Sequence, residues 1–201
     1  QHFDYELDEV FYKQLGIRRP DVNFNTGKIL KESGGPTTYE YQIGLIFQKL
    51  SEFLLKEQPD AVMYLGDSNT IISSIITARH KIPIIHIEAG GRNFDWRTPE
   101  EKNRIIVDHL SDINYCYLDR YKEILLSEGI PDFRIKVVGN IIHDAIDFFL
   151  PLSRKNSIHK NLGIEKHKYA LCTMHREENT ELKEVLVPKI KDLIRLSKQN
   201  D

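Results

Sequence analysis

Hydrophobic and polar positions alternate along the chain in a way that separates helices from strands. Residues 38–58 place Tyr41, Ile43, Leu45, Ile46, Leu50, Phe53, Leu54 and Leu55 at helical spacing after a Gly34-Gly35-Pro36 break, which predicts a long amphipathic helix. Ala61-Val62-Met63-Tyr64-Leu65 is then a short apolar run ended by Gly66-Asp67, and residues 69–79 are apolar enough for a buried helix. The run Ile82-Pro83-Ile84-Ile85-His86-Ile87 ends at Glu88-Ala89-Gly90-Gly91. After a polar loop the pattern predicts a helix near 99–110, a strand at 113–117, a helix at 119–128, a strand at 135–138 and a helix at 140–149. Short apolar strands alternating with helices are βαβ units, so the fold class is α/β with a parallel, Rossmann-like sheet covered on both faces. Residues 169–174 read as a fresh strand, with His175-Arg176 and a helix over 178–197 behind it.

The polar, basic stretch Leu150-Pro151-Leu152-Ser153-Arg154-Lys155-Asn156-Ser157 is the plausible linker. It sets the expected domains at 1–150, a linker at 151–167, and the opening of a second α/β domain at 168–201. The chain has no initiator Met at its start and closes inside or just after a helical pattern, so a fragment is expected.

Composition narrows the function classes. In 201 residues, 28 Lys+Arg stand against 30 Asp+Glu, a balance that argues against a broad nucleic-acid or anionic-membrane surface. No apolar run approaches the roughly 18 residues of a membrane span, and no signal pattern opens the chain. Cys116 and Cys172 are far apart in apolar runs, which disfavours a disulfide framework or zinc site and makes a cytoplasmic location the default. His2, His143 and His167 have no metal-type spacing.

In parallel sheets ligands bind beyond the carboxyl ends of the strands, so the polar residues there carry the candidate chemistry. Asp67 in Gly66-Asp67-Ser68-Asn69 is either a helix N-cap or a site carboxylate. Glu88 ends the next strand, beside glycines that allow close backbone approach to a ligand, and His86, two residues earlier, points to the same strand face in a supporting role. In Thr98-Pro99-Glu100-Glu101-Lys102-Asn103-Arg104, Thr98 as N-cap and Glu101 at the third helical position form a capping box, leaving Glu100 as the free carboxylate. Glu100 and Arg104 lie one turn apart beside the arc of Ile106, Val107 and Leu110, near a loop carrying Arg92 and Arg97. Asn103 projects into that arc, where its amide needs partners. His175-Arg176 precedes a helix N-terminus, which is either a plain helix entrance or a phosphate contact. Gly139-Asn140 reads as a tight turn and cap, with a ligand contact second.

Taken in order, Gly66-Asp67-Ser68-Asn69, His86-Ile87-Glu88-Ala89-Gly90, Pro99-Glu100-Glu101-Lys102-Asn103-Arg104, Val138-Gly139-Asn140 and His175-Arg176-Glu177-Glu178-Asn179 resemble the motifs of the non-hydrolysing UDP-N-acetylglucosamine 2-epimerases. Gln1–Leu7 is similar to a segment near the second strand of that family's first domain. Gly91 departs from a common Leu, and Lys102 occupies the variable position of its motif. The resemblance implies a glycosyltransferase-B-type pair of Rossmann-like domains, here truncated: most of the first, without its opening strand, and the start of the second.

It further implies inversion of C2 of a UDP-acetamido sugar by elimination and re-addition of UDP, feeding cell-surface polysaccharide synthesis, with no cofactor and no metal. Such chemistry needs positioned acid and base groups. By resemblance these are Asp67, Glu88 and Glu100, with His175 at the UDP leaving group and Arg104, Arg92, Arg176 and Asn140 binding substrate. The implied partners are the UDP-sugar and a second copy in a homodimer, with no nucleic acid and no membrane. The alternatives are a 2-epimerase of a modified diacetamido sugar, a hydrolysing relative, a glycosyltransferase, and a non-catalytic nucleotide-sugar-binding protein. On the epimerase reading the chain alone is expected to have no turnover, because closure on substrate needs both cleft walls.

Overall fold

Valine, isoleucine and tyrosine crowd the short runs at 62–65, 84–89, 113–116 and 135–137, and side chains of this kind favour extended backbone. The computed structural model describes residues 8–36, 38–165, 168–174, 177–180 and 182–199. Those runs form β1 (Val62–Leu65), β2 (Ile84–Ala89), β3 (Ile113–Cys116) and β4 (Ile135–Val137). They pair in parallel in the order β1-β2-β3-β4, with Tyr64 beside His86, His86 beside Asn114, and Asn114 beside Ile135.

Helices precede and separate the strands: α1 (Glu9–Leu15), α2 (Thr26–Glu32), α3 (Tyr39–Glu57), α4 (Ser74–Arg79), α5 (Pro99–Leu110) and α6 (Asp119–Ser127). The helix expected over 69–79 begins as a 3₁₀ turn, Asn69–Ser73, before α4. Helices α1 and α2 were not foreseen; they flank the polar stretch Arg18-Arg19-Pro20-Asp21, which has no periodic apolar face.

The core has two parts. Tyr64, Ile71, Ile84 and Val107 pack where β1 and β2 meet the 3₁₀ turn and α5. Ala89, Cys116, Leu125, Ile130 and Ile135 fill the space between β2, β3, β4 and α6. Complete burial of Leu125 alone contributes about 2 kcal/mol.

The chain divides into two units, Gln1–Pro151 and Leu152–Asp201. The division falls inside α7 (Ile142–Lys155), which runs through Pro151, so much of the expected linker is helical. The second unit holds α8 (Ile158–Asn161), α9 (Glu177–Thr180) and α10 (Lys183–Gln199). The strand expected at 169–174 is irregular backbone, because a parallel strand needs a neighbour to take its hydrogen bonds and no strand exists among the described residues of this unit.

Candidate functional site

Gly66, at φ +77°, turns the chain out of β1 while its N–H still donates to the Ile87 carbonyl at 3.1 Å. That turn frees Asp67 from the sheet. Ser68, not Asp67, occupies the N-cap of the following 3₁₀ turn, so the capping alternative for Asp67 is not the one realised.

One strand over, the pairing of β2 with β3 slips between Ile87 and Ala89, leaving Glu88 as the extra residue of a bulge. Glu88 sits at φ +76°, a left-handed conformation that costs a side-chain-bearing residue about 1–2 kcal/mol. The two polar residues of β2 both reach α5: His86 to Asp108 and Glu88 to Arg104, partners one helical turn apart. The glycines after Glu88 serve the protein's own packing. A Cβ on Gly90 would stand 2.5 Å from the Tyr121 carbonyl oxygen, and one on Gly91 would stand 3.3 Å from Arg104 Nη1. The close approach expected toward a ligand is thus made to α6 and to Arg104.

Arg104 is the hub. Its Nη2 donates to Asp67 Oδ2 and lies 3.5 Å from Glu88 Oε1, so carboxylates from the ends of two neighbouring strands share one guanidinium. The three side chains remain 19–32% exposed, open enough to meet a ligand. Arg104 Nε is buried without a partner among the described residues. Asn103 donates to the Asp67 carbonyl at 3.0 Å and approaches Asn69 Oδ1 at 3.4 Å, which answers its need for partners and fixes the Asp67 turn.

Tyr117, just beyond β3, hydrogen-bonds Glu88. Burial pushes its phenol above the usual range, and the negative charge of Glu88 adds to that. The phenol therefore stays a donor to the carboxylate. The rule that selected Asp67 and Glu88, a polar group at the carboxyl end of a strand, also reaches Tyr117.

The start of α5 corrects two expectations. Thr98 is the N-cap residue, yet its side chain makes no cap bond; its hydroxyl donates to the Asp95 carbonyl. Glu101 does not close a capping box but accepts the N–H groups of Asn93 at 2.9 Å and Phe94 at 3.2 Å, bracing the loop before the helix. Glu100 is exposed and makes no pair with Arg104, because the guanidinium is drawn to Asp67 and Glu88 instead. The structure thus gathers Asp67, Glu88 and Arg104 and leaves Glu100 one turn away at the helix entrance.

Arg92 also departs from expectation. Its side chain is 1% exposed; it pairs with Asp108 at 2.8 Å, grips both oxygens of Glu128 at 2.9 and 2.7 Å, and donates to the Gly91 carbonyl. With its donors turned inward, Arg92 braces the fold and is not presented to a substrate. Asn140 accepts the Ile142 N–H at 2.9 Å and so caps α7, the first of its two readings. His175 and Arg176 lie outside the described residues. Among the described residues no group of three side chains gathers to hold a metal ion.

A parallel α/β sheet with two carboxylates gathered on one arginine at its carboxyl edge defines the class. The family model described as UDP-N-acetylglucosamine 2-epimerase matches residues 1–201. A UDP-N-acetylglucosamine 2-epimerase homolog of Methanococcus maripaludis is 40% identical over 189 residues, covering 92% of this chain and 50% of its own. A UDP-2,3-diacetamido-2,3-dideoxy-D-glucuronate 2-epimerase of Pseudomonas aeruginosa is 34% identical over 185 residues, 90% of this chain and 49% of its own. The Methanocaldococcus jannaschii UDP-GlcNAc 2-epimerase, solved with UDP-GlcNAc and UDP, superposes with a TM-score of 0.84 at 32% identity, covering 98% of this chain and 53% of that one. This chain belongs to the UDP-N-acetylglucosamine 2-epimerase family, and its sheet is of the glycosyltransferase-B-like type of those neighbours. It spans about half the length of the curated relatives it matches.

Proposed function

We propose that this protein is a UDP-N-acetylglucosamine 2-epimerase that inverts C2 of its sugar by eliminating UDP and adding it back. A base removes the C2 proton, the C–H electrons become the C1=C2 bond of a 2-acetamidoglucal, and the C1–O bond breaks to release UDP. For return, a proton reaches C2 from the opposite face while a UDP oxygen re-forms the bond to C1. Two acid/base groups must therefore address one carbon. The observation that carries the reading is the pair Asp67 and Glu88, delivered by neighbouring strands to a single guanidinium. Arg104 holds both carboxylates against their mutual repulsion. Glu100, at the entrance of the helix that carries Arg104, is the third candidate. His175 and Arg176 are assigned to the UDP leaving group by motif alone.

The test is turnover of UDP-N-acetylglucosamine by the full-length protein in deuterated water. Deuterium should enter at C2, and Asp67→Asn and Glu88→Gln should each lower kcat about 100-fold or more. Release of free sugar, or product formed without C2 deuterium, overturns the reading in favour of a hydrolase or a transferase.

A second substrate is favoured by the Pseudomonas aeruginosa relative: a UDP-diacetamido sugar acid, discriminated by kcat/KM across a UDP-sugar panel. The expected setting is the cytoplasm, in the supply of cell-surface polysaccharide precursors. The expected assembly is a homodimer, read by light scattering. No described helix is long and apolar enough to cross a membrane.

A further inference from the structure

We propose that Asp108, fully buried one helical turn after Arg104, is the positioning residue that holds Glu88 turned out of its strand. The inference rests on the epimerase reading and extends it to a residue that no motif named. A glutamate in the left-handed region returns to extended backbone unless its flanks are restrained. Asp108 restrains both. Its Oδ1 lies 2.6 Å from His86 Nδ1, two residues before Glu88, and its Oδ2 accepts the Gly90 N–H at 3.2 Å, two residues after. One carboxylate therefore spans the bulge.

The same contacts reach Asp67. His86 Nε2 is 2.9 Å from the carbonyl oxygen of Gly66, the residue before Asp67, so the ring that Asp108 orients also ties down that turn. Asp108 and His86 are both fully buried, and the Asp108 charge is met by Arg92, which Glu128 anchors in turn. Helix α5 thus does two jobs from adjacent turns: Arg104 draws in the carboxylates, and Asp108 fixes the backbone that presents them.

The experiment is a double-mutant cycle in the full-length protein, with Asp108→Asn and His86→Gln each placed in the wild-type and the Glu88→Gln backgrounds. An asparagine keeps the shape but offers one acceptor where two are used. In the wild-type background kcat on UDP-N-acetylglucosamine should fall about 30- to 100-fold with KM changed less than about threefold. In the Glu88→Gln background the further loss should be under about threefold, because the group being positioned is already gone. Equal losses in both backgrounds, or an effect confined to KM, overturn the assignment, as does failure of both variants to fold. NMR chemical shifts of Glu88, which report its φ, supply an activity-independent readout: the residue should leave the left-handed region in Asp108→Asn. A wild-type protein without turnover defeats the epimerase reading alone, and the Glu88 shifts then decide the positioning.

Discussion

Ile113–Cys116 and residues 169–174 are both short apolar runs with a cysteine inside and a helix to follow, yet only the first is a strand. β3 lies between β2 and β4 and gives its backbone groups to both, and Cys116 beneath it is fully buried. In the second unit Leu171 is 85% exposed and Cys172 is exposed. The contrast is about where hydrogen bonds close. A helix satisfies its own backbone, so α10 forms as its sequence predicts although none of its residues is buried. A strand borrows its partners from elsewhere in the chain, and without them even a run as apolar as Tyr169-Ala170-Leu171-Cys172 stays irregular.

Thiol chemistry offers the largest readout of this contrast. At pH 8 in native buffer, a disulfide reagent should label Cys172 at least about 1,000-fold faster than Cys116, whose access requires opening of the core between the sheet and α6. Labelling of both thiols at similar rates would erase the distinction between the two runs.

Truncation of apolar side chains should sharpen it by a smaller amount. Leu125→Ala removes a fully buried side chain and should cost about 2–5 kcal/mol in urea unfolding. Leu171→Ala, at a residue 85% exposed, should change stability by less than about 0.5 kcal/mol. A large loss at Leu171 would mean that the run is packed after all.

The same division between local and distant partners explains what the sequence disclosed. Every strand of the first unit was legible from its own apolar run, and the rule of polar groups at strand ends found Asp67 and Glu88, which meet at Arg104. Arg92 was misread because the carboxylate that holds it, Glu128, lies 36 residues away and no spacing rule links them. Glu101 looked like a capping-box partner because Thr98 is three residues earlier, but the loop offered it two N–H groups and took precedence. The left-handed backbone of Glu88 has no local signature, since glutamate does not ask for it; the restraint comes from α5. Asp108 did leave a trace. It is a charged residue next to Val107 on the buried arc of α5, four positions after Arg104, where a carboxylate is tolerated only with partners.

Alkaline pH gives the smallest effect and isolates one buried group. Burial pushes the Cys116 thiol up to about 12 from an ordinary value of 9.0, with the Asp108 charge adding to it and Arg92 and Lys122 opposing. The folded pKa is raised, so the thiol's contribution is complete below about pH 9 and is lost as pH rises toward 12, because the unfolded chain releases this proton first. Between pH 8 and 10 that loss amounts to about 1.4 kcal/mol, one pH unit of differential ionisation. The phenols of Tyr64 and Tyr117 are also raised, both chiefly by burial, but from an ordinary value of 10.0, so stopping at pH 10 keeps most of their contribution out of the window. Urea unfolding at pH 8 and pH 10 should therefore show a drop that Cys116→Ala reduces by about 1 kcal/mol. Equal pH dependence in the wild type and Cys116→Ala would mean that the thiol of β3 is not shielded by the core, and the comparison between the two runs would fail at the residue they have in common.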